Sequence, residues 1–250
     1  MLRAVTLDYW DTIYVGASVP ARVERRRQAL AHMVQRIGAE VLATDFDRLY
    51  RAAAVEADRW WREEHRGYST ADRIRWLLAQ LALERPLDCE YIAQAVAEVD
   101  ETLVAYPPPL LEGAREALEW LGARYALAII SDTGFASGRA QNRVLEQDGI
   151  RQFFSATIYS MDVGHAKPRP EPFQAALAAL GVAPGDALHV GDIERTDVAG
   201  ALGVGMRAVR LDAVRDGGES RAEYVAKSLG DLVRYLDEST KSSERSLGQS

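Results

Sequence analysis

The sequence predicts an α/β fold: a doubly wound parallel sheet whose first strand is separated from the others by an inserted α-helical cap domain. Three observations predict it. Residues 3–8 (RAVTLD) are a short, β-branched and apolar run, the pattern of a buried strand. Residues 18–106 read as helix after helix, with no convincing strand among them. Beyond Pro107-Pro108-Pro109, helices alternate with short apolar strands. Such alternation implies a parallel sheet covered on both faces, and the first strand should rejoin it.

The first strand ends at Asp8. Ser18 and Pro20 suit the start of a helix and Gly38 suits its stop. Thr44 with Asp47 opens a second helix that is expected to run to about Gly67. Thr70 begins a third, with Ile74, Leu77, Leu78 and Leu81 at helical spacing, and a fourth covers about Asp88 to Ala105. The three prolines stop that helix and stiffen the connection. After them come a helix near 112–123, a strand at 125–131, a helix near 137–147 and a strand near 155–159. A helix near 171–181, a strand at 186–190, a short helix at 195–202 and a strand at 206–211 complete the series. The expected division is a core of residues 1–14 and 106–237, a cap of residues 15–105, and a polar, serine-rich tail from 238 to 250 that reads as disordered.

A chain of 250 residues suits one core with a modest insertion. Apolar residues make up 48% and charged residues 27%, an ordinary balance for a soluble protein. The formal net charge of -7 argues against an electrostatic grip on nucleic acid or on an anionic membrane surface. An anionic small substrate would then need a locally positive pocket. Cys89 is the single cysteine, so no internal disulfide forms, and a reducing, cytoplasmic setting fits. The N-terminal apolar stretch meets an acid at Asp8 and is no signal peptide. No apolar run approaches the roughly 20 residues of a membrane-spanning helix.

In open parallel sheets, ligands bind beyond the carboxyl ends of the strands. Here those ends carry reactive groups. The first strand ends at Asp8 and the second at Ser131-Asp132-Thr133-Gly134. The segment after the third leads to Lys167, and the fourth ends at Gly191-Asp192, with Asp197 five residues on. Any one of these alone reads as well as a helix cap or a solvated side chain. The ordered set brings carboxylates, a hydroxyl and a lysine to one rim.

That set resembles the haloacid dehalogenase-like superfamily over nearly the whole chain, and a Rossmann-like core is what this resemblance implies. The stretch LDYWDTI, Leu7 to Ile13, is similar to the first motif, with Asp8 in the nucleophile's place and Thr12 as the terminal threonine. Ser131 in AIISDTG matches the second motif, and Lys167 in GHAKPRPEPF the third. Gly191, Asp192 and Asp197 in VGDIERTD match the fourth, and Asp162 sits where an acid often precedes the lysine. The helical insert looks like the superfamily's cap. The resemblance implies an Mg²⁺-dependent phosphatase of small phosphorylated metabolites. Asp8, the Trp10 carbonyl and Asp192 would hold the metal, with Asp197 orienting its waters or Lys167.

The chemistry of each role stands on its own terms. A carboxylate attacking phosphorus splits one hard displacement into two easier ones. Mg²⁺ prefers oxygen ligands and few protein carboxylates. Ser131 and Lys167 would hold the oxygens of the transferring group. Asp11, Thr12, Asp132 and Thr133, with Trp10, are expected to line the substrate's place.

The pattern breaks at Trp10, which stands where phosphatases of the superfamily carry a second, proton-transferring aspartate. Losing such a group typically lowers the rate by about 10²–10⁴-fold. Three readings follow. The protein is a phosphatase of substrates with good leaving groups, with Asp11, His65, Glu63 or Glu64 as a substitute proton donor. Alternatively it is a metal-independent 2-haloacid dehalogenase, in which an aromatic residue takes this place, although the Gly191-Asp192 motif is intact. Or it is a weakly active or non-catalytic relative that binds a phosphorylated ligand or a partner protein. The phosphonate-cleaving branch is excluded, because it needs a cap lysine and the lysines are Lys167, Lys227 and Lys241.

The cap should select the substrate. Adjacent Trp60 and Trp61 cannot share a narrow helical stripe. One is expected to face the cap's own core and the other the active site or a homodimer partner. Arg59, Arg62, Arg66, Arg73 and Arg75 read as a largely solvated face from which one could meet a substrate anion. His189 reads as a core residue, and His165 as a loop residue able to line the pocket.

Overall fold

The computed structural model describes residues 1–16, 19–39, 41–81 and 89–247. Parallel strands alternating with helices set the layers. The strands β1 (Ala4–Leu7), β2 (Ala126–Ser131), β3 (Ala156–Tyr159), β4 (Ala187–Gly191) and β5 (Arg207–Leu211) lie where the sequence places them. A sixth, β6 (Tyr224–Ala226), was not anticipated. All neighbours pair in parallel, in the order β3-β2-β1-β4-β5-β6. The central β1 therefore has β2 on one side and β4 on the other, so the chain reverses its winding direction beside Asp8.

Period-two alternation sends large and small residues to opposite faces. Val5, Leu7, Leu127, Ile129, Leu188 and Val190 pack against helices α5 (Ala114–Gly122), α6 (Gly138–Gln147) and α10 (Leu229–Leu247). Ala4, Ala128, Ala187 and Ala208 face α8 (Pro170–Leu180) and α9 (Ala199–Gly203), which follow the single-turn α7 (Ser160–Val163). The alanine face lets Phe173 of α8 lie fully buried, edge-on to His189. The segment expected as a helix at 195–202 is a π-helical turn, Glu194–Val198, leading into α9.

Between β1 and β2 stand α1 (Pro20–Arg36), α2 (Ala43–Arg62), α3 (Thr70–Ala79) and α4 (Cys89–Ala105). They share an apolar cluster of their own, including Leu30, Met33, Phe46, Ile74, Leu77 and Val99. The proposed starts at Ser18 and Asp88 fall outside the described residues. Ser69 caps α3 reciprocally with Asp72. Helix α2 stops at Arg62 instead of continuing to Gly67, because the chain turns off to meet the core. Gly67 N–H donates to Gly164 O over 3.0 Å. A Cβ on Gly67 would sit 1.8 Å from Ser160 O, so only glycine allows this approach.

The insert leaves and re-enters through two segments that lie side by side. Val15 N–H donates to Pro109 O (3.0 Å) and Leu111 N–H to Ile13 O (2.8 Å), with Tyr14 and Leu110 bridged in antiparallel fashion.

The tail corrects the sequence reading. Residues from Glu238, expected to be disordered, continue α10 to Leu247. Leu232 and Leu236, four apart, are buried against the sheet. Lys241 pairs with Asp237 at 2.6 Å and Thr240 Oγ1 donates to Leu236 O, so the polar residues extend a helix that the leucines have already docked. Among the described residues, no helix is long and apolar enough to cross a membrane.

Candidate active site

Asp8 directly follows β1, and its N–H donates to Val190 O at 2.8 Å, which fixes it against the end of β4. Lys167 reaches it from the loop before α8. Its buried Nζ donates to Asp8 Oδ1 (2.6 Å), Asp197 Oδ1 (2.6 Å) and Ile130 O (3.0 Å), which uses all three ammonium protons. Asp197 is held by the N–H of Ile193 (3.0 Å), the hydroxyl of Thr196 (3.2 Å) and a contact with His189 Nε2 (3.2 Å). His189 in turn meets Thr6 Oγ1 at 2.8 Å. A Cβ on Gly191 would lie 2.3 Å from Asp197 Cγ, so glycine at that position is what admits the carboxylate to the strand end.

Asp192 is buried at the end of β4. Its Oδ2 lies 3.2 Å from the Arg215 guanidinium, yet no hydrogen bond of sound geometry satisfies it. Arg215 also pairs with Asp11 Oδ2. Asp11 has φ of 54°, a left-handed conformation that aspartate tolerates better than most residues. Its Oδ1 accepts the Gly16 N–H at 2.6 Å.

Asp8, Asp11, Asp192 and Asp197 thus gather around Lys167 and the half-exposed Arg215. Burial lifts the Asp8 carboxyl well above the usual range, and the charges of Asp197 and Asp192 add to the lift against the pull of Lys167. Burial, with Asp197 beside it, pushes Asp192 up to about 7, against the opposing pull of Arg215. Asp197 is also opposed by burial, but Lys167 and His189 hold it well below the ordinary value. Burial would discharge Lys167, yet Asp197 and Asp8 keep it firmly protonated. This floor carries more carboxylate charge than its cations neutralise. The donors are hard oxygens, and Asp192 has an unsatisfied buried oxygen, so the site suits Mg²⁺. Among the described residues no three acidic, histidine or cysteine side chains converge on one metal position.

Above the floor lies a cavity of about 400 Å³. Asp8, Trp10, Asp11, Asp132, Thr133, Lys167, Asp192 and Asp197 all line it. Ser131 and Thr12 do not. Ser131 is buried with its hydroxyl on Gln141 Oε1 (2.9 Å), and Thr12 is fully buried with an unpartnered hydroxyl. The Thr133 N–H donates to Ser160 Oγ at 2.9 Å. Asp132 takes the Lys167 N–H on Oδ1 (3.0 Å) and the Trp61 indole N–H on Oδ2 (2.8 Å). Trp61 is therefore the tryptophan that faces the site, while Trp60 packs on Ala57 and Tyr68. Glu63, Glu64, His65 and His165 are not among the cavity's lining residues, and both Asp11 oxygens are occupied, so none is placed as a proton donor. Asp162 is exposed and also stands apart.

Sequence reasoning missed Arg22 and Arg26 of α1, Arg195, and Arg215. Arg22, Arg26 and Arg215 line the cavity, and Arg195 stacks on Trp61 at 4.2 Å. Arg215 had a readable signal, because the loop after β5 leaves the sheet at the same rim. The spacing of Arg22 and Arg26 marks a shared helix face, without saying which way it points.

Fold and site together define a doubly wound α/β domain with a carboxylate–lysine centre at its strand ends, roofed by a helical insert. The haloacid dehalogenase-like hydrolase profile matches residues 2–205. The chain is 30% identical over 258 residues to the haloacid dehalogenase-like hydrolase domain-containing protein 3 of Bos taurus, covering 98% of this chain and 97% of that one. It is 26% identical over 211 residues to the glyceraldehyde 3-phosphate phosphatase of Methanopyrus kandleri, covering 84% of each. The crystal structure of 2-haloacid dehalogenase from Pseudomonas syringae pv. Tomato superposes with a TM-score of 0.69 at 24% identity, covering 95% of this chain and 99% of that one, and speaks to the fold alone. The chain belongs to the haloacid dehalogenase-like hydrolase family, as its motifs suggested.

Proposed function

We propose that the protein is an Mg²⁺-dependent phosphatase of small phosphorylated metabolites that acts through an aspartyl-phosphate on Asp8. The observation that carries this reading is the excess of buried carboxylates beside Asp8, with one Asp192 oxygen unsatisfied. Displacing a halide from a neutral carbon needs no such cation-seeking floor. The Methanopyrus kandleri relative, a phosphatase by name, supports the same reading.

Asp8 and Asp192, with the Trp10 carbonyl, would hold Mg²⁺, which when bound screens the repulsion between nucleophile and substrate. In the first step an Asp8 oxygen bonds to phosphorus while the bond from phosphorus to the leaving oxygen breaks. Water then attacks phosphorus, which frees the Asp8 carboxylate and releases phosphate. Lys167 exchanges its Asp8 hydrogen bond for the phosphoryl oxygens as Asp8 bonds to phosphorus, and Ser131 joins it by exchanging Gln141 for the substrate. Asp197 keeps Lys167 charged and aimed. Asp132 and Thr133 shape the neighbouring wall, while Asp11 and Thr12 shape the turn beneath it. Trp10 supplies no proton, so substrates with good leaving groups are favoured. A cytoplasmic setting and freely diffusing metabolites suit such an enzyme.

The test is hydrolysis of p-nitrophenyl phosphate in Mg²⁺, which Asp8→Asn and chelation should each abolish. Halide release from 2-haloacids in excess chelator would replace this reading with a dehalogenase, the alternative that Trp10 favours. Thermal shifts with beryllium fluoride or phosphate, without turnover, would indicate a non-catalytic relative.

A further inference from the structure

The cavity has a second charged wall. Arg22 and Arg26 of α1 and Arg73 of α3 line it from the helical insert, whereas Asp8, Lys167 and Asp192 line it from the sheet. Arg22 and Arg73 are 7% and 6% exposed. More exposed arginines of the insert, such as the half-buried Arg27 and the exposed Arg59 and Arg62, each pair with a carboxylate. Among the described residues, Arg22, Arg26 and Arg73 pair with none. Arg22 donates to the Tyr106 carbonyl at 3.1 Å and Arg26 to the Tyr50 hydroxyl at 2.9 Å. Arg73 keeps Nε and Nη2 buried and without a hydrogen bond.

Phe135, from the loop after β2, organises the group. The Arg73 guanidinium lies 3.1 Å and that of Arg26 3.6 Å from its ring centre. Stacking supplies only part of what a buried guanidinium loses on leaving water. What is missing is an anion, and the planar fork of arginine matches carboxylate and phosphate alike.

We infer that the substrate carries a second anionic group, a carboxylate or a phosphate, seated on Arg73, Arg26 and Arg22 while its transferred phosphoryl group rests against Asp8 and Lys167. The inference rests on the phosphatase reading and names the substrate class for it. A cavity of about 400 Å³ holds a short carbon skeleton with a charged group at each end.

The test compares kcat/KM in Mg²⁺ for p-nitrophenyl phosphate and for two matched pairs. One pair is glycerol 3-phosphate and 3-phosphoglycerate, which adds a carboxylate. The other is fructose 6-phosphate and fructose 1,6-bisphosphate, which adds a phosphate. The doubly charged member of at least one pair should be preferred about tenfold or more, and the pair that responds identifies the anion. Arg73→Gln should lower that preference, measured as a ratio to p-nitrophenyl phosphate, by about tenfold. Arg26→Gln gives a second, less buried variant with the same expected direction. A purely structural role would lower both members of the ratio together. Hydrolysis of p-nitrophenyl phosphate with no preference in either pair, or a preference that survives in a folded variant, would overturn the inference and leave the phosphatase reading intact. No hydrolysis of any of these phosphates would overturn both.

Discussion

Trp61 of the insert donates its indole N–H to Asp132 of the core across 2.8 Å, and Asp132 uses its other oxygen to accept the Lys167 backbone N–H. One carboxylate therefore joins the roof of the cavity to the loop that carries Lys167. Burial raises the pKa of Asp132, while Lys167 and the Trp61 hydrogen bond draw it back. Trp61→Phe leaves Asp132 Oδ2 without its partner and should cost about 1–3 kcal/mol in denaturant unfolding. Combined with Asp132→Asn, the two losses should fall short of additive, whereas full additivity would show that the residues are energetically independent.

Lys167 neutralises two buried carboxylates at once, each at 2.6 Å. Lys167→Met should abolish phosphatase turnover and destabilise the fold by about 3–5 kcal/mol, since it leaves Asp8 and Asp197 buried without a counter-charge. Adding Asp197→Asn should recover part of that stability but none of the activity. A Lys167→Met protein as stable as the parent would refute the electrostatic account.

Asp192 gives a pH signature. Its native pKa, about 7, lies above the unfolded one, so between about pH 4 and 7 the native state binds more protons than the unfolded chain. Stability without metal should therefore decline as pH rises through that window and then level off. Asp8 is displaced in the same direction, and Asp197 acts oppositely but below it. Mg²⁺ competes with the proton, so its effect on Tm should be larger near about pH 8 than near about pH 5. An equal effect at both would mean that these carboxylates do not hold the ion.

Trp10 lies in the cavity wall with its ring edge-on to Tyr9 at 4.8 Å. If the absent proton donor limits turnover, Trp10→Asp should raise kcat on alkyl phosphates by about tenfold or more and change p-nitrophenyl phosphate hydrolysis little. Steady-state rates on the two substrate types decide it, and no gain on alkyl phosphates would show that another group already delivers the proton.

Strand ends were the most legible part of the chain. Asp8 and Asp192 each follow a short apolar run and Lys167 lies on the segment beyond another, and a parallel sheet can only bring such ends to one rim. The boundary at Pro107-Pro108-Pro109 was equally plain, because three prolines forbid helix. Short β6 was not legible, since Tyr224–Ala226 becomes a strand only by pairing with β5. The helix beyond Glu238 was masked by its serines, although Leu232 and Leu236 anchor the preceding turns. Arginine direction was the largest gap. Arg59 and Arg73 stand in similar company along the chain, yet Arg59 on α2 is exposed and Arg73 on α3 is buried over Phe135, a contact that only tertiary packing supplies.

The paired crossings at Val15–Pro109 and Ile13–Leu111 bear on how such a protein can change. They zip the outgoing and returning chain into one short seam, the covalent passage into a helical cartridge that also rests on the core at Gly67–Gly164 and Trp61–Asp132. Whole helices can be exchanged, lengthened or lost beyond that seam without disturbing a strand register. Lineages sharing one reaction chemistry could thereby acquire new nutrients or damaged metabolites as targets by remodelling the cartridge alone.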